Sequence, residues 1–289
     1  MNDTSKGLLI TSLGVLLVVP DSLFVRLIDA SAFTIAFWRL LLAGGMLGLG
    51  ILALKGLNPF RAAINTGIYG LIYVVGVGVS GILFILAVSL TSVANVVFII
   101  ASLPVFAAVY SRIFLAEPIR LRMWVTMAAV MVGLAVIAYG SAEAEKASLV
   151  GDALALAVSA LFAAALTAAR RVKHVSMVPA VAIGYVLGAL VILPFAAPFS
   201  VPSEQVHLVT LHGCLILGSS VLLAIGPRYI TSAEVGLLVL WESALAPLLA
   251  WAVVDDDPGP YALAGGAIVI GALFASNFIA LRREIRNRR

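Results

Sequence analysis

Charge is what this sequence lacks most. Only 11% of its 289 residues are Asp, Glu, Lys or Arg, while 63% are apolar and mean hydropathy is +1.15. An ordinary soluble domain carries roughly 25% charged residues. The chain cannot cover a water-facing surface with what it has, so a soluble enzyme and a disordered chain are excluded. From Ala62 to Ser111 there are 50 residues without one charged side chain. As helix that run is about 75 Å long, enough for two crossings of a hydrocarbon layer about 30 Å thick. Cysteine is nearly absent: Cys214 stands alone in an apolar run, which excludes an internal disulfide and a cysteine metal cluster. No His, Cys and Asp spacing indicates a metal site, and nothing calls for a cofactor. Strict apolar–polar alternation is absent as well, which excludes an outer-membrane barrel. The net charge of +4 is small, and the basic residues lie in short loops and the tail. That distribution is a topology signal, not a nucleic-acid surface.

What is present is a succession of apolar runs, each close to the 20 or so residues that one crossing needs. Ten are read: Gly7–Leu27, Ala32–Leu54, Asn65–Leu90, Ser92–Leu115, Met123–Tyr139, Gly151–Arg171, Met177–Ala197, Val206–Ile230, Ser232–Val254 and Tyr261–Leu281. Asn58-Pro59, Glu117-Pro118, Val201-Pro202 and Asp257-Pro258-Gly259-Pro260 are turn signals between them. The fold class is therefore an all-α polytopic membrane protein with ten transmembrane helices. The longest polar gap, Ser141 to Asp152, has no room for an extramembrane domain. Lys6, the apolar run to Val19 and Ala30-Ser31-Ala32 imitate a secretory leader. Asp21 and Arg26 interrupt it, and the segment reads as a retained first span.

Basic residues sort between alternate loops. With the N-terminus inside, fifteen of the eighteen Lys and Arg residues fall on inner segments, Arg26 and Lys146 fall outside, and Arg39 lies within a span. The expectation is a multi-pass protein of a bacterial inner membrane with both termini cytoplasmic. The basic stretch 282–289 is a solvated tail near anionic headgroups.

The two halves resemble each other. Leu90-Thr91-Ser92-Val93-Ala94 opens span four, and Ile230-Thr231-Ser232-Ala233-Glu234 opens span nine 140 residues later. Glu117-Pro118 meets Asp257-Pro258 at the same offset, and Gly133 meets Gly271 at an offset of 138. The expected organisation is a first five-helix repeat over 1–140, an outside linker over 141–150, a second repeat over 151–281 and the tail. An odd number of crossings per half forces the second copy to sit upside down. Inverted repeats are a common basis for alternating access around a site near the midplane.

Two five-helix halves, each closing on an acidic residue, a proline and a Gly-containing span, resemble the drug/metabolite transporter superfamily. The resemblance is to its EamA-type branch, and most of all to bacterial exporters of aromatic amino acids. It covers the whole chain. It implies a basket-shaped bundle with a central cavity lined mainly by spans one, three, four, six, eight and nine. The family often reads Leu-Glu-Pro in span nine; here the residues are Trp241-Glu242-Ser243, with a proline only at Pro247.

A charge at the bilayer centre costs about 2.5–3.5 kcal/mol on insertion scales, so each needs a partner, a wet cavity or a task. Glu242 stands about ten residues into span nine. It is either a cavity residue that meets a substrate ammonium or carries a proton, or a packed carboxyl. Asp21 and Arg39 lie about six and seven residues from the outer ends of spans one and two, hence at one depth in antiparallel neighbours. An ion pair is expected there, as a structural tie or as an outer gate or substrate contact. Glu234 is expected to snorkel or to pair with Arg228. Asn95, Phe98 and Ser102 share one helical face of span four, and Tyr69, Tyr73 and Ser80 one face of span three. With Trp241 and Ser243 they line a cavity or simply pack. His212 reads as a packed or wet histidine more readily than as a proton relay.

The leading reading is an exporter of amino acids, aromatic or otherwise neutral, or of related small metabolites. Protons are a candidate coupling ion, and a monomer is favoured. Export of cationic drugs is the alternative. A non-transporting sensor and an intramembrane enzyme are more remote, the latter for want of a nucleophile–base pair at membrane depth.

Overall fold

The computed structural model describes residues 3–114, 121–143, 148–172, 174–225, 229 and 232–288. Among them there is no strand, and eight helices are long and apolar enough to cross a membrane, with two shorter apolar helices at Trp124–Gly140 and Trp241–Val254.

Span one is two helices, α1 (Asp3–Val18) and α2 (Asp21–Leu27). Pro20 lies between them, and without an N–H it cannot continue the helical ladder. Span two is one helix, α3 (Ala32–Lys55). Ser31 caps it by accepting from the Thr34 N–H at 3.2 Å, and Gly56, at φ 64°, ends it. A short helix, α4 (Asn58–Ile64), occupies the connection expected to be a loop, so span three, α5 (Ile68–Leu90), starts three residues later than the apolar run suggests. Span four is broken like span one, into α6 (Val93–Ile100) and α7 (Leu103–Phe114), with Pro104 just past the break. Span five is α8 (Leu121–Glu143), span six α9 (Leu149–Arg171) and span seven α10 (Val178–Ile192). Single 3₁₀ turns then lead to span eight, α11 (Val206–Ile225). Span nine, α12 (Ser232–Val254), carries Pro247 within it. Span ten, α13 (Gly259–Arg288), runs on as helix through most of the basic stretch expected to be a tail. Glu117-Pro118, Lys146 and Arg228 lie outside the described residues, as does the side chain of Glu234.

The six most extensive helix pairings map onto themselves when each span is exchanged for the one five places away. α1 packs on α11, and α5 on α9; α11 packs on α3, and α10 on α5. The pairs α3–α10 and α8–α13 are their own images. At the α5–α10 and α8–α13 contacts glycine sets the distance. A Cβ on Gly78 would lie 2.5 Å from the Gly184 carbonyl oxygen, and one on Gly265 would lie 2.6 Å from that of Gly133. Small residues that let backbones approach are the usual means of joining helices in lipid, where apolar burial gives no preference for helix over tail.

Alternate junctions meet at one end of the bundle. There Arg26 reaches Asp256, Thr91 reaches Asp152, the Asp29 N–H donates to Gln205 at 2.7 Å, and the Trp38 indole N–H donates to the Pro198 carbonyl at 2.9 Å. At the other end Lys6 lies 5.1 Å from the centre of the Tyr229 ring. The first half thus starts at the Lys6 end and the second, at Asp152, starts at the Asp256 end.

Candidate functional site

Depth arithmetic brings Asp21 and Arg39 level, and the break at Pro20 places Asp21 in the first turn of α2. The pair is bidentate: Arg39 Nε donates to Asp21 Oδ1 at 2.9 Å and Nη2 to Oδ2 at 2.5 Å. His212 of span eight, about six residues from the start of α11, joins them with Nε2 2.6 Å from Asp21 Oδ1. A carboxylate held by two guanidinium N–H groups is an acceptor, so His212 Nε2 carries the hydrogen. With the imidazole neutral, the three groups carry no net charge. All are buried, Asp21 at 3% exposure, Arg39 at 6% and His212 at 1%. Aromatic faces enclose them: Phe24 stacks on His212 at 5.2 Å and 11°, and the Arg39 guanidinium lies 5.5 Å from the centre of Phe84.

Two features of this cluster are open. Arg39 Nη1 is sealed from solvent and donates to none of the described residues. Glu242 of span nine is half-buried, lies within electrostatic reach of both Asp21 and Arg39, and receives no hydrogen bond from the described residues. Tyr185 of span seven also lies within reach of Arg39, and its hydroxyl shares a hydrogen with Ser220 at 3.1 Å. The site is therefore drawn from spans one, two, eight and nine, with span two supplying its guanidinium.

A second network closes the Asp256 end. Arg26 Nη2 donates to the Thr91 carbonyl at 2.7 Å and to Asp256 Oδ2 at 3.2 Å. The same Asp256 oxygen accepts the Val93 N–H at 3.0 Å, at the start of α6. Thr91 Oγ1 in turn donates to buried Asp152 at 3.1 Å, and Asn95 Nδ2 lies 3.3 Å from the same oxygen. Asp152 stands in the first turn of α9, where the helix dipole favours an acidic residue. A cavity of about 600 Å³, lined among others by Arg26, Asn95, Asp256 and Tyr261, lies beside this network.

The other residues singled out in the sequence are distributed as follows. Asn95 belongs to the Thr91–Asp152 network. Ser102 donates to the Ile99 carbonyl at 2.6 Å and shares a hydrogen with Ser159 of α9 at 3.2 Å; Ser243 donates to the Val97 carbonyl at 3.3 Å. Phe98 is buried against Gly266 of α13. These contacts tie span four to spans six, nine and ten. Tyr69 and Tyr73 join a separate apolar cluster that Tyr185 borders, and Ser80 donates to its own helix at Val77. Trp241 points away from the bundle, 59% exposed. Pattern reading missed Asp152, Tyr185 and the Arg26–Asp256 pair as functional candidates, and missed Asp21 as the partner of His212. Among the described residues no three His, Cys, Asp or Glu side chains could hold a metal ion.

The model of the EamA-like transporter family matches the chain twice, over residues 5–139 and 149–278. A solved structure titled only as the crystal structure of a protein superposes with a TM-score of 0.65 over 97% of this chain and 99% of that one, at 17% identity. At that identity it speaks to the fold alone. No curated protein matches the chain in sequence.

Proposed function

Because the chain belongs to the EamA-like transporter family, whose members carry small metabolites across membranes, we propose that it exports amino acids, aromatic or otherwise neutral, by alternating access. The observation that carries this reading is Glu242: a half-buried carboxyl in a membrane span, without a hydrogen bond among the described residues, beside the Asp21–Arg39 pair, whose charges already match each other. A carboxyl placed there to tie helices would be bonded to one. Left open, it meets an ammonium group or a proton.

In this scheme the two repeats rock about the cluster. The Asp256 end faces outward, as the distribution of basic residues directs, and the inner membrane of a bacterium holds both termini on the cytoplasmic side. The chain works as a monomer. Arg26–Asp256 and the Thr91–Asp152 network close the outer end, and the cavity beside them is the outer vestibule. Its volume lies within the roughly 300–1,000 Å³ of small-ligand sites. Of the sequence candidates, Glu242, Arg39 and Asp21 stand at the substrate. Asn95, Ser102, Ser243 and Phe98 set the position of span four, and Tyr69, Tyr73 and Ser80 that of span three. Trp241 faces lipid.

The test is flux into proteoliposomes of labelled phenylalanine, threonine, an organic cation and a dicarboxylate. The proposal expects the amino acids to move and the dicarboxylate not to. An organic cation moving alone would instead mark a cation exporter, which the free carboxyl of Glu242 also suits. Imposed pH gradients decide coupling: flux that follows the gradient makes Glu242 a proton carrier as well, and flux indifferent to it makes the protein a facilitator.

A further inference from the structure

A guanidinium carries five N–H bonds in a fixed plane. Asp21 occupies the Nε and Nη2 edge of Arg39. Nη1 keeps its two hydrogens unused in a place closed to water, where an unmade bond is costly. Neutralising Asp21 does not require this, since His212 already provides that carboxylate with a further donor. Helix α5 comes close on one side without bonding it: a Cβ on Gly81 would sit 2.8 Å from Leu40 and 3.4 Å from Nη1, so a residue without a side chain stands there. Glu242 lies within electrostatic reach of both Asp21 and Arg39 and is equally without a hydrogen bond among the described residues.

We infer that Arg39 and Glu242 are the two poles of one substrate site: Nη1 takes the carboxylate of an α-amino acid, and the Glu242 carboxylate takes its ammonium group. The inference rests on the transport reading above and specifies how the substrate is told from its analogues. A zwitterion meets an opposite charge at each pole. An amine leaves Nη1 empty, and an acid without an amine adds negative charge beside Asp21 and Glu242 while leaving Glu242 unmatched. Asp21 is then a positioning residue. It fixes the guanidinium by its far edge, His212 holds Asp21, and Phe24 stacked on His212 completes the support.

The experiment uses the full chain in proteoliposomes and measures counterflow of labelled phenylalanine. Phenethylamine, which lacks the carboxylate, and 3-phenylpropionate, which lacks the ammonium, are the competitors. Each is expected to compete at least about tenfold more weakly than phenylalanine, because a site built to bond a group rejects the analogue without it. Arg39→Lys keeps the charge but loses the fork; it should weaken phenylalanine and leave phenethylamine unchanged, narrowing that preference. Glu242→Gln should narrow the preference over 3-phenylpropionate. Thermal melts of each variant separate binding from folding. Should Arg39→Lys fail to fold, the wild-type competition still decides. Phenethylamine competing as well as phenylalanine, or a preference unmoved in a folded Arg39→Lys protein, overturns the assignment while transport itself stands. Absence of flux for every labelled solute overturns the transport reading and this inference with it.

Discussion

Arg39 meets Asp21 and Arg26 meets Asp256, yet the two pairs are built on different terms. The first is bidentate, enclosed by Phe24 and Phe84, with side chains 7% and 3% exposed. The second uses one nitrogen at 3.2 Å, with side chains 28% and 17% exposed, and shares its partners with the backbone of Thr91 and Val93. A buried pair is dear to break, because the survivor is left charged and unsolvated. A pair open to water is cheap to break and is screened by salt. The buried cluster therefore suits a fixed site about which helices move, and the rim pair suits a contact that opens and closes. The same residue types serve both pairs because burial, not chemistry, sets their strength.

Removing one member of the buried pair should have the largest effect. Arg39→Ala is expected to cost about 3–5 kcal/mol, read as a fall in thermal stability of the protein in detergent. The double change Asp21→Asn with Arg39→Gln should restore much of that loss, since no lone charge remains. His212→Ala comes next. It deletes one donor to Asp21 and the face that Phe24 stacks on, for about 1–3 kcal/mol in the same assay. Arg26→Gln should cost only about 0.2–1 kcal/mol. Its deficit should vanish at roughly 1 M salt, where the screening length is about 3 Å, while the Arg39→Ala deficit persists. Ser102→Ala, which removes a hydroxyl bridge to Ser159, should have the smallest effect, near 0.6 kcal/mol. If Arg26→Gln proves as damaging as Arg39→Ala, or as indifferent to salt, the contrast between the two pairs fails.

Much of the fold was legible because lipid simplifies the problem. Apolar runs with turn signals between them can only be spans, and the ten helical segments fall where those runs lie. What escaped was backbone detail. The breaks at Pro20 and near Pro104 and the extra helix Asn58–Ile64 depend on how neighbouring helices receive the freed groups. At the site, the arithmetic that levels Asp21 with Arg39 needs only distance from a span end, and the two side chains do meet. The same arithmetic applied to span eight puts His212 at that depth, so a signal for the third member was present. Asp152 hid because it begins its helix and resembles a loop carboxylate; only packing shows it buried against Thr91 and Asn95. Helical periodicity says which residues share a face, not what that face meets. Hence the stripe Asn95, Phe98 and Ser102 was visible, while its partners on α9 and α13 were not.

The account stands on Glu242 as the residue that meets what is carried. Phenylalanine counterflow through purified Glu242→Gln, compared with wild type at matched thermal stability, tests this most directly. The prediction is a severalfold fall in flux in the variant relative to the wild type, with folding unchanged. Equal flux in the two proteins would contradict it.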